Sequence, residues 1–263
     1  MKLFRLIFIA LILFMISFPV HSSAEEASLK ELDTIADEAL QMTKSGRFDE
    51  AKQLLQYFSD KFSEVNARER SFSMDELRIL TVAHEGALQS LANTTESAEQ
   101  RIDSVITFRL VMDTISSQHQ PLWTEMEKPI MSAFQQMQTA ANEGDAEEYH
   151  STLNQFLTKY SIIQPSIKLD IPVEKVQELD SRITFIDRYR SESGSGTETI
   201  NELNTLETDL EDLFDGLTED EADPSLWWMI TTTGSIIILT LSYVGWRKYK
   251  GESEQSRSER QKD

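Results

Sequence analysis

From Glu25 to Arg190 the chain has only three glycines, Gly46, Gly86 and Gly144, and apolar residues recur throughout at helical spacing. An all-β architecture needs tight turns, and tight turns need glycine and proline in numbers this stretch lacks. The expected fold class is therefore all-α, built from helical hairpins. Ser28 with Glu31 has the spacing of a capping box and starts a helix carrying Leu32, Ile35, Ala36, Ala39 and Leu40, which stops at Gly46. A second helix, Phe48 to Val65, sets Ala51, Leu54, Leu55, Phe58 and Phe62 on one face. Ser73 with Glu76 caps a third through Leu77, Leu80, Ala87, Leu88 and Leu91, and a fourth runs from about Thr95 to Ser117. Asp170-Ile171-Pro172 opens a later helix through Val176, Leu179, Ile183 and Ile186.

The pattern restarts after the fourth helix. Gly46, Glu50, Leu55, Phe58 and Lys61 recur without a gap as Gly144, Glu148, Leu153, Phe156 and Lys159. Upstream, Leu32, Ala36, Ala39 and Thr43 meet Ile130, Phe134, Met137 and Ala141 at the same offset. Both segments read as helix–glycine–helix hairpins, the unit of tetratricopeptide-like arrays, although such arrays repeat about every 34 residues. Duplication of a four-helix half and convergence of two amphipathic hairpins both account for the match. The exported all-α domain is expected over 25–190, with possible halves 25–120 and 121–190.

Charge places the chain. The 263 residues carry 25 Lys+Arg against 45 Asp+Glu, which excludes a nucleic-acid partner, since that needs a positive footprint. The acid is not spread evenly: residues 25–225 hold 41 acidic and 17 basic side chains, and both ends are positive. Residues 1–24 read as a signal peptide, with Lys2 and Arg5 ahead of the apolar run Leu6 to Val20 and small residues at Ser22 and Ala24 for a cut after Ala24, an uncleaved signal anchor being the alternative. Leu226 to Trp246 is free of charge over 21 residues, and about 20 helical residues cross a bilayer core. Trp227 and Trp228 at one end and Tyr243 and Trp246 at the other match interfacial aromatics. Arg247, Lys248 and Lys250 follow at once, while Glu219, Asp220, Glu221 and Asp223 precede. Lys and Arg stay on the cytoplasmic side. The expectation is a single-pass cell-membrane protein with its N-terminal domain outside, a transmembrane helix over 226–246 and a cytoplasmic tail over 247–263. Trp227, Trp228, Trp246, Arg247 and Lys248 are the anchoring residues, and the lipid bilayer is the partner of 226–246.

Between domain and anchor lie a Ser/Gly linker at 191–197 and an acidic juxtamembrane helix at 198–225. Leu203, Leu206, Leu210, Leu213 and Leu217 follow the 3,4 spacing of a coiled-coil seam, with Glu202, Glu207, Asp209, Glu211, Asp212 and Asp215 around them. Such a helix docks its leucines on its own domain or offers them to a protein partner or a second copy; a disordered acidic stalk is the third reading.

Catalytic patterns are lacking. The chain has no cysteine, hence no disulfide framework, thiolate site or Cys nucleophile. His84-Glu85 is half of a zinc-protease motif, but Leu88 stands where the second His belongs. Glu125 and Glu127 beside Trp123 are two residues apart and point about 200° away from each other on a helix. No enzyme activity, cofactor or metal is expected. Trp123, in the cluster His119-Gln120-Pro121-Leu122-Trp123, is either a plug at the junction of the halves or a recognition residue.

The hairpin Ala39-Leu40-Gln41-Met42-Thr43-Lys44-Ser45-Gly46-Arg47-Phe48, the His119–Trp123 cluster and the terminal Gly234-Ser235-Ile236 and Ser242-Tyr243-Val244-Gly245-Trp246-Arg247-Lys248-Tyr249 resemble the YpjB-type sporulation proteins of endospore-forming Bacillus. The resemblance runs over essentially the whole chain. It implies a sporulation-associated membrane protein and carries over no functional residues. The function expected is a non-enzymatic protein-interaction module, with Leu203, Leu206, Leu210, Leu213, Leu217 and Trp123 as candidate interaction residues. A self-associating structural spacer of the envelope is the alternative, and a wall-directed hydrolase comes last.

Overall fold

The computed structural model describes residues 23–69, 72–117, 120–190, 196–215, 230–238, 240–241, 243–245 and 247–248, and the regular structure among them is helical throughout. The first helix, α1, spans Ser23–Lys44. It starts five residues ahead of the expected Ser28, because Ala24-Glu25-Glu26-Ala27 are all strong helix formers that extend it N-terminally. Next come α2 (Phe48–Glu69), α3 (Met74–Ala92) and α4 (Ala98–Ser116). The capping box at Ser73 and Glu76 is formed as the spacing predicts, and a second one, Ser97 with Gln100, opens α4.

A short 3-10 turn, Leu122–Met126, leads into α5 (Glu127–Glu143), α6 (Ala146–Asp170), α7 (Val173–Arg188) and α8 (Thr197–Asp215). Pro129 sits in the first turn of α5, where its missing N–H costs no hydrogen bond. Pro165, by contrast, lies inside α6.

The four N-terminal helices close into a ring. α1 packs on α2, α2 on α3, α3 on α4, and α4 back on α1. The next four repeat the order: α5 packs on α6 and α6 on α7. Ion pairs from Arg182 of α7 to Glu202 (3.1 Å) and Asp209 (2.6 Å) of α8 make the third join. Hydrogen bonds from Gln138 of α5 to Asn204 (3.2 Å) and Glu207 (2.9 Å) make the fourth. The rings meet through α6, which lies on α4 and α3.

The correspondence reaches individual bonds. At Gly46, φ +74°, the Gly46 amide donates to Thr43 O (3.0 Å) and the Arg47 amide to Met42 O (2.9 Å). At Gly144, φ +71°, the amides of Gly144 and Asp145 donate to Ala141 O (3.2 Å) and Ala140 O (3.1 Å). Each is the paired closure of a Schellman turn, with glycine in the left-handed region that side chains avoid. Leu32, Ala36, Ala39, Leu55 and Phe58 are buried, and so are Ile130, Phe134, Met137, Leu153 and Phe156, which stand 98 residues later. Val105, Phe108 and Met112 of α4 are answered at the same distance by Leu203, Leu206 and Leu210 of α8, all buried.

The chain divides into two units, one ending at Leu210 and the other running over Glu211–Asp263. Most of α8 falls in the first unit, with Leu203, Leu206 and Leu210 buried. Residues 1–22 and 191–195 lie outside the described residues, as do Leu217 and the rest of 216–229.

Candidate functional site

Trp123 sits where the two rings join. Its side chain has no exposed surface, and its Nε1–H donates to Asp170 Oδ2 at 3.0 Å, at the C-terminal end of α6. The turn that carries it is fixed from the other side, since the Leu122 amide donates to Asp113 Oδ2 at 2.7 Å. Asp113 belongs to a polar knot centred on Arg109. That guanidinium lies 2.8 Å from Asp33, 3.5 Å from Asp113 and 3.6 Å from Asp37, and the Ser116 hydroxyl donates to Asp33. Burial raises the Asp113 pKa from its ordinary value, against the pull of the Leu122 amide and of Arg109. The knot ties α1, α4 and the inter-ring turn together, which gives its charges a structural task.

Sequence reasoning passed over this knot. One signal was present: Arg109 interrupts the apolar run Phe108 to Met112. Its partner Asp33 lies 76 residues away, and no local spacing reveals it.

The other polar clusters of the first unit also join helices. Asp180 of α7 accepts from Tyr160 (2.8 Å) and Gln164 (2.9 Å) and pairs with Lys168 (3.5 Å), three residues spaced four apart on α6. Burial, and then Asp180 itself, push the Tyr160 phenol far up. His84 is buried against Phe58 and Phe108, with Nε2 2.7 Å from Leu55 O. A carbonyl only accepts, so Nε2 carries the hydrogen. Burial lowers the His84 pKa, more than the Leu55 bond raises it. His119 lies outside the described residues, and Glu125 and Glu127 are exposed. Among the described residues no group of three or more His, Asp or Glu is placed to hold a metal ion.

The leucine seam is interior. Leu203, Leu206 and Leu210 are fully buried, Leu213 is buried, and Leu217 lies outside the described residues. A fully buried side chain offers a partner no surface. Part of the acid around the seam is engaged too, with Glu202 and Asp209 on Arg182 and Glu207 on Gln138.

Of the expected anchor, Trp227, Trp228 and Trp246 lie outside the described residues, while Arg247 and Lys248 are helical and exposed. Ile230, Ile236, Ile237, Ile238, Leu241, Tyr243 and Val244 are helical and more than half exposed. No helix among the described residues is long and apolar enough to cross a membrane, and seven of the 21 residues from Leu226 to Trp246 are outside that set.

Residues 29–258 match the family model described as sporulation protein YpjB. The chain belongs to that family. A relative in Bacillus subtilis (strain 168), "Uncharacterized protein YpjB", is 34% identical over 235 residues, covering 89% of each chain. The YpjB match takes in both rings, the acidic stretch and the uncharged segment together. No solved structure matches the chain.

Proposed function

We propose that this member of the YpjB family is a single-pass membrane protein whose exported helical domain acts in sporulation as a non-enzymatic protein-interaction module. The observation that carries the reading is the division of charge about one uncharged segment. Residues 25–225 hold 41 acidic and 17 basic side chains, while Arg247, Lys248 and Lys250 follow Trp246 at once. Basic residues beside a span are retained inside, so the acidic domain faces out. The exposed isoleucines of 230–238 suit lipid contact better than water. The use of Arg109, Asp180 and Arg182 as ties between helices supports a scaffold role over a reactive one.

Protease treatment of inside-out membrane vesicles tests the orientation. A C-terminal epitope after Asp263 is removed while the domain survives intact. Loss of the domain with survival of the epitope contradicts the proposal. Self-association as an envelope spacer through Leu203–Leu217 is the second reading. It requires α8 to leave the domain, since Leu203, Leu206 and Leu210 have no exposed surface. Lysine at Leu206 and Leu210 breaks oligomers in sedimentation on that reading, and a monomeric wild-type chain contradicts it.

A further inference from the structure

α8 has little of its own to hold it helical. Six of its 19 residues are threonine or asparagine, weaker helix formers than alanine or leucine. It carries seven acidic side chains and no basic one. Glu198 and Glu202, Glu207 and Glu211, and Glu211 and Asp215 each stand four apart, where like charges repel along a helix. Glu211, Asp212 and Asp215 crowd the C-terminal end, which already carries the negative pole of the helix dipole. α4, which fills the matching place in the first ring, instead mixes Arg101 and Arg109 with Glu99, Asp103 and Asp113. A short helix with these handicaps forms only against a packed surface, so for α8 folding and docking are one event.

Its docking is narrow. Leu203, Leu206 and Leu210 enter the second ring as one stripe. Among the described residues the charged tie runs through one guanidinium: Arg182 of α7 meets Glu202 at 3.1 Å and Asp209 at 2.6 Å, and Glu178 of its own helix shares it at 3.0 Å. The Arg182 side chain is partly exposed, so water screens the tie, whereas Arg109 of α4 is buried in its knot. α7 has its own hold on α6, through Asp180 on Tyr160, Gln164 and Lys168 and through Arg190 on Asn154 at 3.0 Å. Departure of α8 leaves those ties and the Arg109 knot intact.

We propose that α8 is a strap that opens as a unit of its own while the rest of the domain stays folded. Docked, it keeps Leu203, Leu206 and Leu210 inside. Released, it bares them and lends its 19 residues to the connection between the domain and the uncharged segment, up to roughly 60 Å of added reach. Elements with few buried apolar contacts and screened polar ties are the ones that open below the global unfolding limit. The proposal rests on the anchored-module reading for what release achieves, and gives that module a retracted and a reaching state.

Hydrogen–deuterium exchange of the full-length chain in neutral detergent micelles, read peptide by peptide by mass spectrometry, tests it. Amides of 200–210 exchange at least about tenfold faster than those of Leu32–Leu40 in α1, Val105–Met112 in α4 and Leu153–Ile163 in α6. Arg182→Gln speeds α8 by at least about tenfold more and leaves α1, α4 and α6 within about twofold of wild type. Glu211→Lys, which turns two repulsions into attractions and suits the dipole, slows α8 by at least about threefold with the same three helices unchanged. Exchange of wild-type α8 at the rate of α6 overturns the proposal, and so does an unchanged α8 in either variant. A variant that shifts α1, α4 and α6 by the same factor as α8 also overturns it, because α8 then opens only with the whole domain. Exchange is read in micelles and is blind to sidedness. Uniform exchange with the domain outside in the vesicle assay loses only the strap, and a reversed topology removes the module reading itself.

Discussion

Arg109 is the residue on which the inter-ring junction turns. It is buried among Asp33, Asp37 and Asp113, so removing it leaves acid with no counter-charge in a site that already raises the Asp113 pKa. Breaking a buried ion pair from one side costs several kcal/mol, and Asp33 keeps some solvent contact. Arg109→Met is expected to destabilise the domain by about 3 kcal/mol, read as a lower urea midpoint. His84 sets a pH dependence. The unfolded chain takes up the imidazole proton near pH 6.5, whereas the folded domain holds His84 neutral to lower pH. The stability this position has above pH 6.5 is therefore lost as pH falls below that value, until the lowered folded pKa is reached. Urea midpoints at neutral and mildly acid pH measure the loss. His84→Gln, which keeps a donor for Leu55 O, shows a smaller drop than wild type.

At the scale of elements, three glycines separate turn from surface. Gly46 and Gly144 hold positive φ at equivalent Schellman turns, where any side chain pays for the left-handed region. Gly46→Ala and Gly144→Ala are each expected to cost about 1–2 kcal/mol. Gly86→Ala is expected to stabilise by up to about 1 kcal/mol, because its Cβ meets open space on a helix. Thermal melts of the three variants check the opposite signs. α8 has its own test: Leu206→Ala costs about 2–5 kcal/mol as part of the second ring, and an unchanged melt means the helix does not pack there.

The hairpins and the cap at Ser73 are legible in sequence because their determinants lie within four residues of each other. The ring closures are not. Gln138 and Glu207 are 69 residues apart, and a leucine seam reads alike whether it meets its own domain or another chain. The start of α1 was misplaced for a related reason. Ser28 has the spacing of a cap but stands inside a run of good helix formers.

For the whole molecule, the two rings are similar but not interchangeable. α4 is buried on several sides, with Leu110 and Val111 in the core as well as Val105, Phe108 and Met112, as suits a helix that meets α1, α3 and α6. The positions 98 residues later are Thr208 and Asp209, so α8 buries one stripe and ends the stack in polar side chains. A terminal repeat needs such a polar outer face. The array is therefore closed at its C-terminal end. On the proposed topology this acidic pair of rings stands outside the membrane on an anchor whose tail is inside. The chain has no cysteine, so single cysteines can report on each side without background. Ser59→Cys, at an exposed site on α2, and Ser256→Cys, in the tail, are treated in intact cells with a membrane-impermeant maleimide. The account predicts that position 59 is labelled at once and position 256 only after permeabilisation; labelling of 256 with protection of 59 contradicts it.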